Sequence, residues 1–229
     1  FLIQRRDETD QRDFAELAEA GGRPIILMNA RWPRHGSVVH DDEGAGRIAT
    51  QHLLDLGHRD IALIGGDLHS HTARARERGY LQAIHGAAMR RRSAWVLDRP
   101  YEPGPGREAM IELCTAGRRR PTAVVVSNLH AGIGALHGAR DVGLQVPDQI
   151  SIVAIHDWWI TDYTRPTLTS VRLPQRALGQ AAMRLLHRRL EGEPAVDLTI
   201  TDPRPQLIQR ESTAPPPRRL VRGRLPETD

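Results

Sequence analysis

His52-Leu-Leu-Asp-Leu-Gly-His-Arg-Asp-Ile-Ala-Leu-Ile-Gly-Gly-Asp-Leu-His-Ser-His-Thr-Ala-Arg-Ala-Arg-Glu-Arg-Gly-Tyr80 is the stretch whose reading decides the fold. It reads as the end of one helix, a tight turn, a short buried strand, a glycine-rich loop and the start of a second helix. Ile61-Ala-Leu-Ile64 is apolar without alternation, as a strand covered on both faces requires. Gly65-Gly66 ends the strand and lets the backbone turn at its carboxyl end. Ser70, Thr72, Arg74 and Arg76 follow near a helix N-terminus. In open α/β sheets ligands sit outside the carboxyl ends of the strands. This loop is therefore the first candidate site.

Working outward, Pro24–Asn29, Ala94–Leu97, Thr122–Val126 and Ile150–Ile155 read as further strands. Pro166–Val171 reads as extended, and Leu207-Ile208 as a last short strand. Helices fall between them: one around Phe14, Leu17 and Ala18, one capped by Asp41 and Asp42, one carrying Tyr80, Leu81, Ile84 and Ala88 along one face, one holding Cys114, one holding Ile133 and Leu136, and one opened by Pro174 and closed by Gly192. Residues 30–40 and Tyr101–Gly106 read as loop. The prolines and arginines of residues 215–229 read as a disordered basic tail. Strands alternating with helices demand parallel sheets covered on both faces: the fold class is α/β.

Composition excludes several classes. No apolar run approaches the ~20 residues needed to cross a bilayer, so no membrane partner is expected. No leader pattern is visible, although the chain opens on Phe1 inside an apolar triplet, as a processed or truncated start would. The single cysteine, Cys114, excludes an intrachain disulfide and suits a reducing cytoplasm; its amphipathic helix makes it a buried thiol rather than a nucleophile. All 32 basic residues are arginine, yet the net charge of +4 is too small to imply nucleic-acid binding. The runs Arg90–Arg92, Arg118–Arg120 and Arg218–Arg224 read as solvated surface. There is no Gly-x-Ser-x-Gly elbow, and Gly65-Gly66 lacks the dinucleotide spacing. His69 and His71 lack a second ligand pair, and helix capping accounts for His40-Asp41-Asp42-Glu43. No catalytic residue, metal or cofactor is expected.

Several segments together resemble the sensor domain of the lactose-repressor (LacI/GalR) family of bacterial transcription regulators, a fold shared with periplasmic sugar-binding proteins. They are Asp41-Asp42-Glu43, Ala49–Leu53, Leu56-Gly57-His58-Arg59, Ile61–Gly66, Ala73-Arg74-Ala75-Arg76, Gly79-Tyr80, Pro121–Val124 with Asn128, Val146-Pro147, Ile150–Val153, Pro166–Val171 and Arg210-Glu-Ser-Thr-Ala214. The resemblance implies two lobes joined by three crossing segments: residues 1–56 with 173–200 in the first, and 57–172 with 201–214 in the second. It implies a first lobe truncated at its N-terminus, a homodimer, a sugar, sugar phosphate or similar effector between the lobes, and operator DNA bound only through a helix-turn-helix headpiece that this chain lacks. The rival is the periplasmic sugar-binding component of a transporter. Leu56-Gly57-His58-Arg59 and Arg210-Glu-Ser-Thr213 favour the regulator.

The resemblance also supplies site residues. Arg76 matches the arginine that clamps effector oxygens, work suited to a planar guanidinium fork. On this reading Arg76→Ala abolishes binding and leaves the fold intact. Ser70 and Thr72 match positions that add contacts, and Tyr101 an aromatic on which effectors stack. Asn128 matches the asparagine of an Asn-Asp pair whose aspartate is here Leu129. His156-Asp157 stands where the family shows Asp-Asp, so His156 replaces the effector-facing carboxylate, with Asp157 as the alternative. Trp158 and Trp159 reach the mouth of the cleft, one of them packed. With a carboxylate lost, an acidic or phosphorylated effector is expected to bind through His156 as pH falls through about 6.5.

Overall fold

The structure is a computed structural model and describes residues 2–3, 21–31, 35–67, 70–89, 93–117 and 119–217. The expected helix around Phe14, the histidine at 69, the arginines at 90–92 and 118, and the tail from 218 onward lie outside the described residues.

Two sheets organise the chain. The larger is built from β4 (Ile61–Ile64), β5 (Val96–Leu97), β6 (Ala123–Val126), β7 (Ser151–Ile155), β8 (Thr169–Arg172) and β10 (Gln206–Ile208), in the order β10-β8-β7-β6-β4-β5. All its pairings are parallel except β10 with β8. The smaller is parallel throughout, in the order β1-β2-β3-β9, from Leu2–Ile3, Ile26–Met28, Gly36–His40 and Asp197–Ile200. The chain passes between sheets three times, after β3, after β8 and after β9.

Continuous apolar strands make the larger sheet a double-sided core. Ala62, Ile64, Val124, Val126 and Ile152 face one way, against α3 (Pro103–Thr115) and α4 (Leu129–Asp141). Ile61, Leu63, Val125, Val153 and Val171 face the other, against α1 (Asp42–Asp55) and α2 (His71–Gly86). Each fully buried aliphatic side chain contributes roughly 1.5–3 kcal/mol. Ile26, Val38 and Ile200 of the smaller sheet pack on Leu178, Ala182 and Leu185 of α5 (Gln175–Leu190).

Three expectations need correction. Residues 36–40 are a strand rather than loop: Gly36-Ser-Val-Val-His40 shows little apolar pattern because its polar ends are buried on partners, Ser37 Oγ on Asp197 at 2.5 Å and His40 Nε2 on Gln175 at 3.3 Å. Tyr101–Gly106 is not all loop, since α3 begins at Pro103, whose missing N–H costs nothing in a first turn. And α1 does not belong with the smaller sheet: Ala45, Ala49, Leu53 and Leu54 are buried in the core of the larger one, so the first crossing falls at residue 41 rather than 56.

The segment Arg210-Glu-Ser-Thr-Ala214 is fastened beside β7 and β8. The Ser212 hydroxyl donates to Ile152 O at 2.6 Å and accepts from Thr169 N at 2.9 Å. Ala214 O accepts from buried His58 Nε2 at 2.8 Å, and Thr122 Oγ1 holds the other ring nitrogen at 2.9 Å. The described residues run on through Pro217, three residues into the expected tail.

Candidate functional site

The register of the larger sheet sets Ile64, Val126 and Ala154 abreast, so the segments leaving β4, β6 and β7 emerge side by side. Those segments carry Ser70, Thr72 and Arg76; Ser127 and Asn128; and His156 and Asp157. Tyr101 follows β5, and His40 and Asp42 arrive from the end of β3.

Arg76 is the hub. It is 2% exposed, and four groups surround it. Its Nε and one terminal nitrogen donate to Asp42 Oδ1 at 2.8 and 2.7 Å. The other terminal nitrogen donates to Ser127 O at 2.6 Å. His156 Nε2 lies 3.3 Å from the guanidinium, which lies 5.9 Å from the Tyr101 ring centre, within cation–π reach. Burial opposes the charge on Arg76, but Asp42 and Tyr101 outweigh it and hold its pKa above the ordinary value. Two glycines set this geometry. α1 and α2 touch backbone to backbone at Gly46 against Arg76 O and Gly79 against Glu43 O, where any Cβ would collide. Gly66 has a different role from the expected sharp turn: a Cβ there would overlap the Tyr101 ring.

His156 departs from expectation. Burial drives its pKa well below the ordinary value, and Arg76, His40 and His130 push the same way. A guanidinium facing Nε2 also requires that nitrogen to be the unprotonated acceptor. His156 is therefore neutral near pH 7, and the expected titration near 6.5 is overturned. Its φ of 77° is a left-handed conformation that costs a non-glycine residue about 1–3 kcal/mol and concentrates at functional positions.

The other predicted residues divide. Thr72 is buried, and its hydroxyl meets Ser70 Oγ at 2.8 Å. Tyr101 OH faces Thr72 and Arg76 without a normal hydrogen bond to either. Asn128 spends its carbonyl oxygen capping α4, accepting from His130 N at 2.7 Å. Asp157 turns into an ion network instead of toward a ligand: Oδ1 accepts from Ser170 at 2.7 Å and Arg210 at 2.8 Å, Oδ2 from Arg172 at 2.5 and 2.8 Å. Trp158 is 60% exposed and Trp159 63%, so neither is packed as expected; Trp159 makes an edge contact with Tyr163.

Sequence reasoning missed Asp42, Ser127 and His40. Asp41 alone caps α1, accepting from Gly44 N at 2.8 Å. A second aspartate beside a sufficient cap was the signal for Asp42. A cavity of about 440 Å³ opens between the sheets, lined by Arg31, His40 and Thr199 from one side and by Asp42, His71 and Arg78 from the other. Of its lining residues, Asp42 Oδ2, His40 Nδ1 and His71 Nδ1 are buried and unpartnered; Ser127 Oγ and Tyr101 OH, beside Arg76, are buried and unpartnered too. Buried polar atoms are ordinarily satisfied, and such a concentration of free ones is what a polar ligand would complete. Among the described residues no group of three or more His, Cys, Asp or Glu is placed to hold a metal ion.

Residues 50–213 match the periplasmic binding protein-like domain. The chain belongs to that family. Within it, the match is to the effector-binding domain of LacI-family regulators. The chain is 32% identical over 202 residues to the HTH-type transcriptional repressor PurR of Yersinia enterocolitica, covering 87% of this chain and 59% of that protein. It thus spans little more than half the length of the curated relatives it matches. A LacI family transcriptional regulator from Mycobacterium smegmatis superimposes with a TM-score of 0.88 at 41% identity, over 94% of this chain and 78% of that one. A CelR–cellobiose complex, also a transcriptional regulator, does so with a TM-score of 0.83 at 28% identity, over 93% and 64%. These relatives are regulators rather than enzymes or transporter components.

Proposed function

We propose that this chain is the effector-sensing core of a LacI-type transcription regulator, binding a small polar molecule in the cavity between its two sheets. The observation that carries the reading is the set of unpartnered buried atoms on Asp42, His40 and His71, gathered on the cavity wall where both sheets present their carboxyl ends. The lobes divide at residue 41, between residues 172 and 175, and between residues 200 and 206. Effector binding would favour one relative orientation of the lobes. A homodimer would pass that orientation to operator DNA through a helix-turn-helix module, the feature for which the PurR relatives are named. The chain would act in the cytoplasm and carry no catalysis; among the described residues no helix is long and apolar enough to cross a membrane.

A thermal-shift screen against mono- and disaccharides, sugar phosphates and purine bases tests the reading. A ligand that stabilises the protein should lose about tenfold or more in affinity in both His40→Ala and His71→Ala, given what a stranded polar contact costs. A ligand bound equally well by both variants would place the site elsewhere.

A further inference from the structure

The function proposed above has the two lobes change orientation, and that orientation depends on how the three crossings are fastened to the larger lobe. At the first, Asp42 is held by Arg76 at 2.7 and 2.8 Å, and the guanidinium faces His156 Nε2 at 3.3 Å. At the second, Arg172 is the last residue of β8, and two of its nitrogens donate to Asp157 Oδ2 at 2.5 and 2.8 Å. The third re-enters the larger sheet at Gln206, the register partner of Arg172. Just beyond β10, Arg210 donates to Asp157 Oδ1 at 2.8 Å and to Asp162 Oδ1 at 2.6 Å. The three fastenings converge on two adjacent residues, His156 and Asp157.

Both residues are tightly held. His156 N donates to Val171 O at 3.0 Å, and its φ of 77° lies in the small left-handed well. The Asp157 side chain is 5% exposed, and Ser170 Oγ adds a bond of 2.7 Å to Oδ1. Several charge-assisted bonds converging on one buried carboxylate fix it more firmly than a lone surface ion pair would. On the smaller lobe, His40 ends β3 and Gln175 begins α5, and their side chains meet at 3.3 Å. The first two crossings are thus tied together at their far ends as well.

We propose that His156-Asp157 is a clasp that holds the larger-lobe ends of all three crossings in one arrangement and so sets the angle between the lobes, with Asp157 as its positioning residue. His156 meets the first crossing through Arg76 and Asp42; Asp157 meets the second and third through Arg172 and Arg210. A molecule that engages Asp42 from the cavity acts on the first crossing, and the clasp carries the displacement to the other two. The inference rests on the lobe reorientation of the function proposed above and requires no particular ligand.

The test is made without ligand. Spin labels are attached through Glu108→Cys on α3 and Arg184→Cys on α5, both exposed positions and one on each lobe, in a Cys114→Ser background. Pulsed electron spin resonance then reads the distribution of distances between the lobes. Asp157→Asn and Arg172→Gln should each broaden the distribution of the labelled parent. The double variant should broaden it no further than the stronger single one, because both break the same link. Arg107→Gln, which breaks an ion pair between α3 and α4 inside the larger lobe, should leave it unchanged. A folded Asp157→Asn protein with the parent's distribution overturns the proposal. So does equal broadening by Arg107→Gln, or broadening that adds in the double variant. If Asp157→Asn does not fold, Arg172→Gln decides: a broadened distribution upholds the clasp and an unchanged one overturns it. A ligand screen that finds nothing would sink the effector reading and leave the clasp standing, whereas an unchanged distribution in a protein that binds a ligand would sink the clasp alone.

Discussion

Two polar clusters on this chain are equally buried and differently finished. In the first, Ser212, Thr213 and Ala214 lie against β7 and β8, and Ser151, Thr169, His52 and His58 meet them with matched donors and acceptors at 2.6–3.1 Å. In the second, around Arg76, several donors are matched but Asp42 Oδ2, His40 Nδ1, Ser127 Oγ and Tyr101 OH are not. Leaving a buried polar atom unmatched costs about 1–3 kcal/mol. A ligand or an ordered water completes such a pairing, and the concentration of open atoms at one place favours a binding role. The closed cluster reads as structure and the open one as a receptor.

The largest effect expected from breaking this contrast is at the hub of the open cluster. Arg76→Ala should lower the unfolding free energy by about 3–5 kcal/mol, because it strands Asp42 as a buried, uncompensated carboxylate. The sequence-based expectation of an intact fold is therefore replaced by one of marked destabilisation. Combining it with Asp42→Ala should recover much of the loss in urea unfolding. An Arg76→Ala protein as stable as wild type would mean the pair is not buried in solution.

In the closed cluster, Ser212→Ala should cost about 1–3 kcal/mol for each of the two backbone groups it strands, Thr169 N–H and Ile152 C=O. Affinity for any cleft ligand should be unchanged, since none of the cavity atoms is touched. If Ser212→Ala weakens binding as much as His71→Ala does, the two clusters are not separable.

The smallest effect is shared by both. His52 and His58 in the closed cluster, and His40, His71 and His156 in or near the open one, are all held below the ordinary imidazole pKa, with burial the main cause. In the unfolded chain they take up protons near pH ~6.5, so the unfolded state binds more protons and stability rises with pH through that region. The contribution should be complete above about pH 7 and be lost as the pH falls below about 6.5. Unfolding midpoints from pH 5 to 8 measure it, and His58→Asn and His156→Asn should each flatten the slope. A flat wild-type profile would contradict the buried, neutral state of these rings.

The larger sheet was legible in the sequence because Ile61–Ile64, Ala123–Val126 and Ser151–Ile155 are nearly unbroken apolar runs bounded by turn residues. The smaller sheet was only half legible. β3 and β9 carry Ser37, His40 and Asp197, and what suits these polar residues to a strand is a partner far along the chain. The site shows the same division. Positions just after strand ends could be named, because a loop beginning there must line the crevice. The identity of Arg76's counter-ion could not, because a carboxylate at a helix start already has a local explanation in capping. Asp157 misled for the converse reason: its partners Arg172 and Arg210 lie far along the chain.

The backbone contact at Gly46 and Gly79 has a mechanical consequence. The two helices meet there and bury Ala45, Ala49, Tyr80 and Ala83 in one core with the larger sheet, so Asp42 and Arg76 ride with that sheet on one jaw. Arg31, His40 and Thr199 ride on the other, joined to it by the three crossing segments. Any closing of the jaws would carry the Asp42–Arg76 pair as a preset anvil. The ligand would be gripped by bringing the opposing residues onto it, and not by assembling the pair around it.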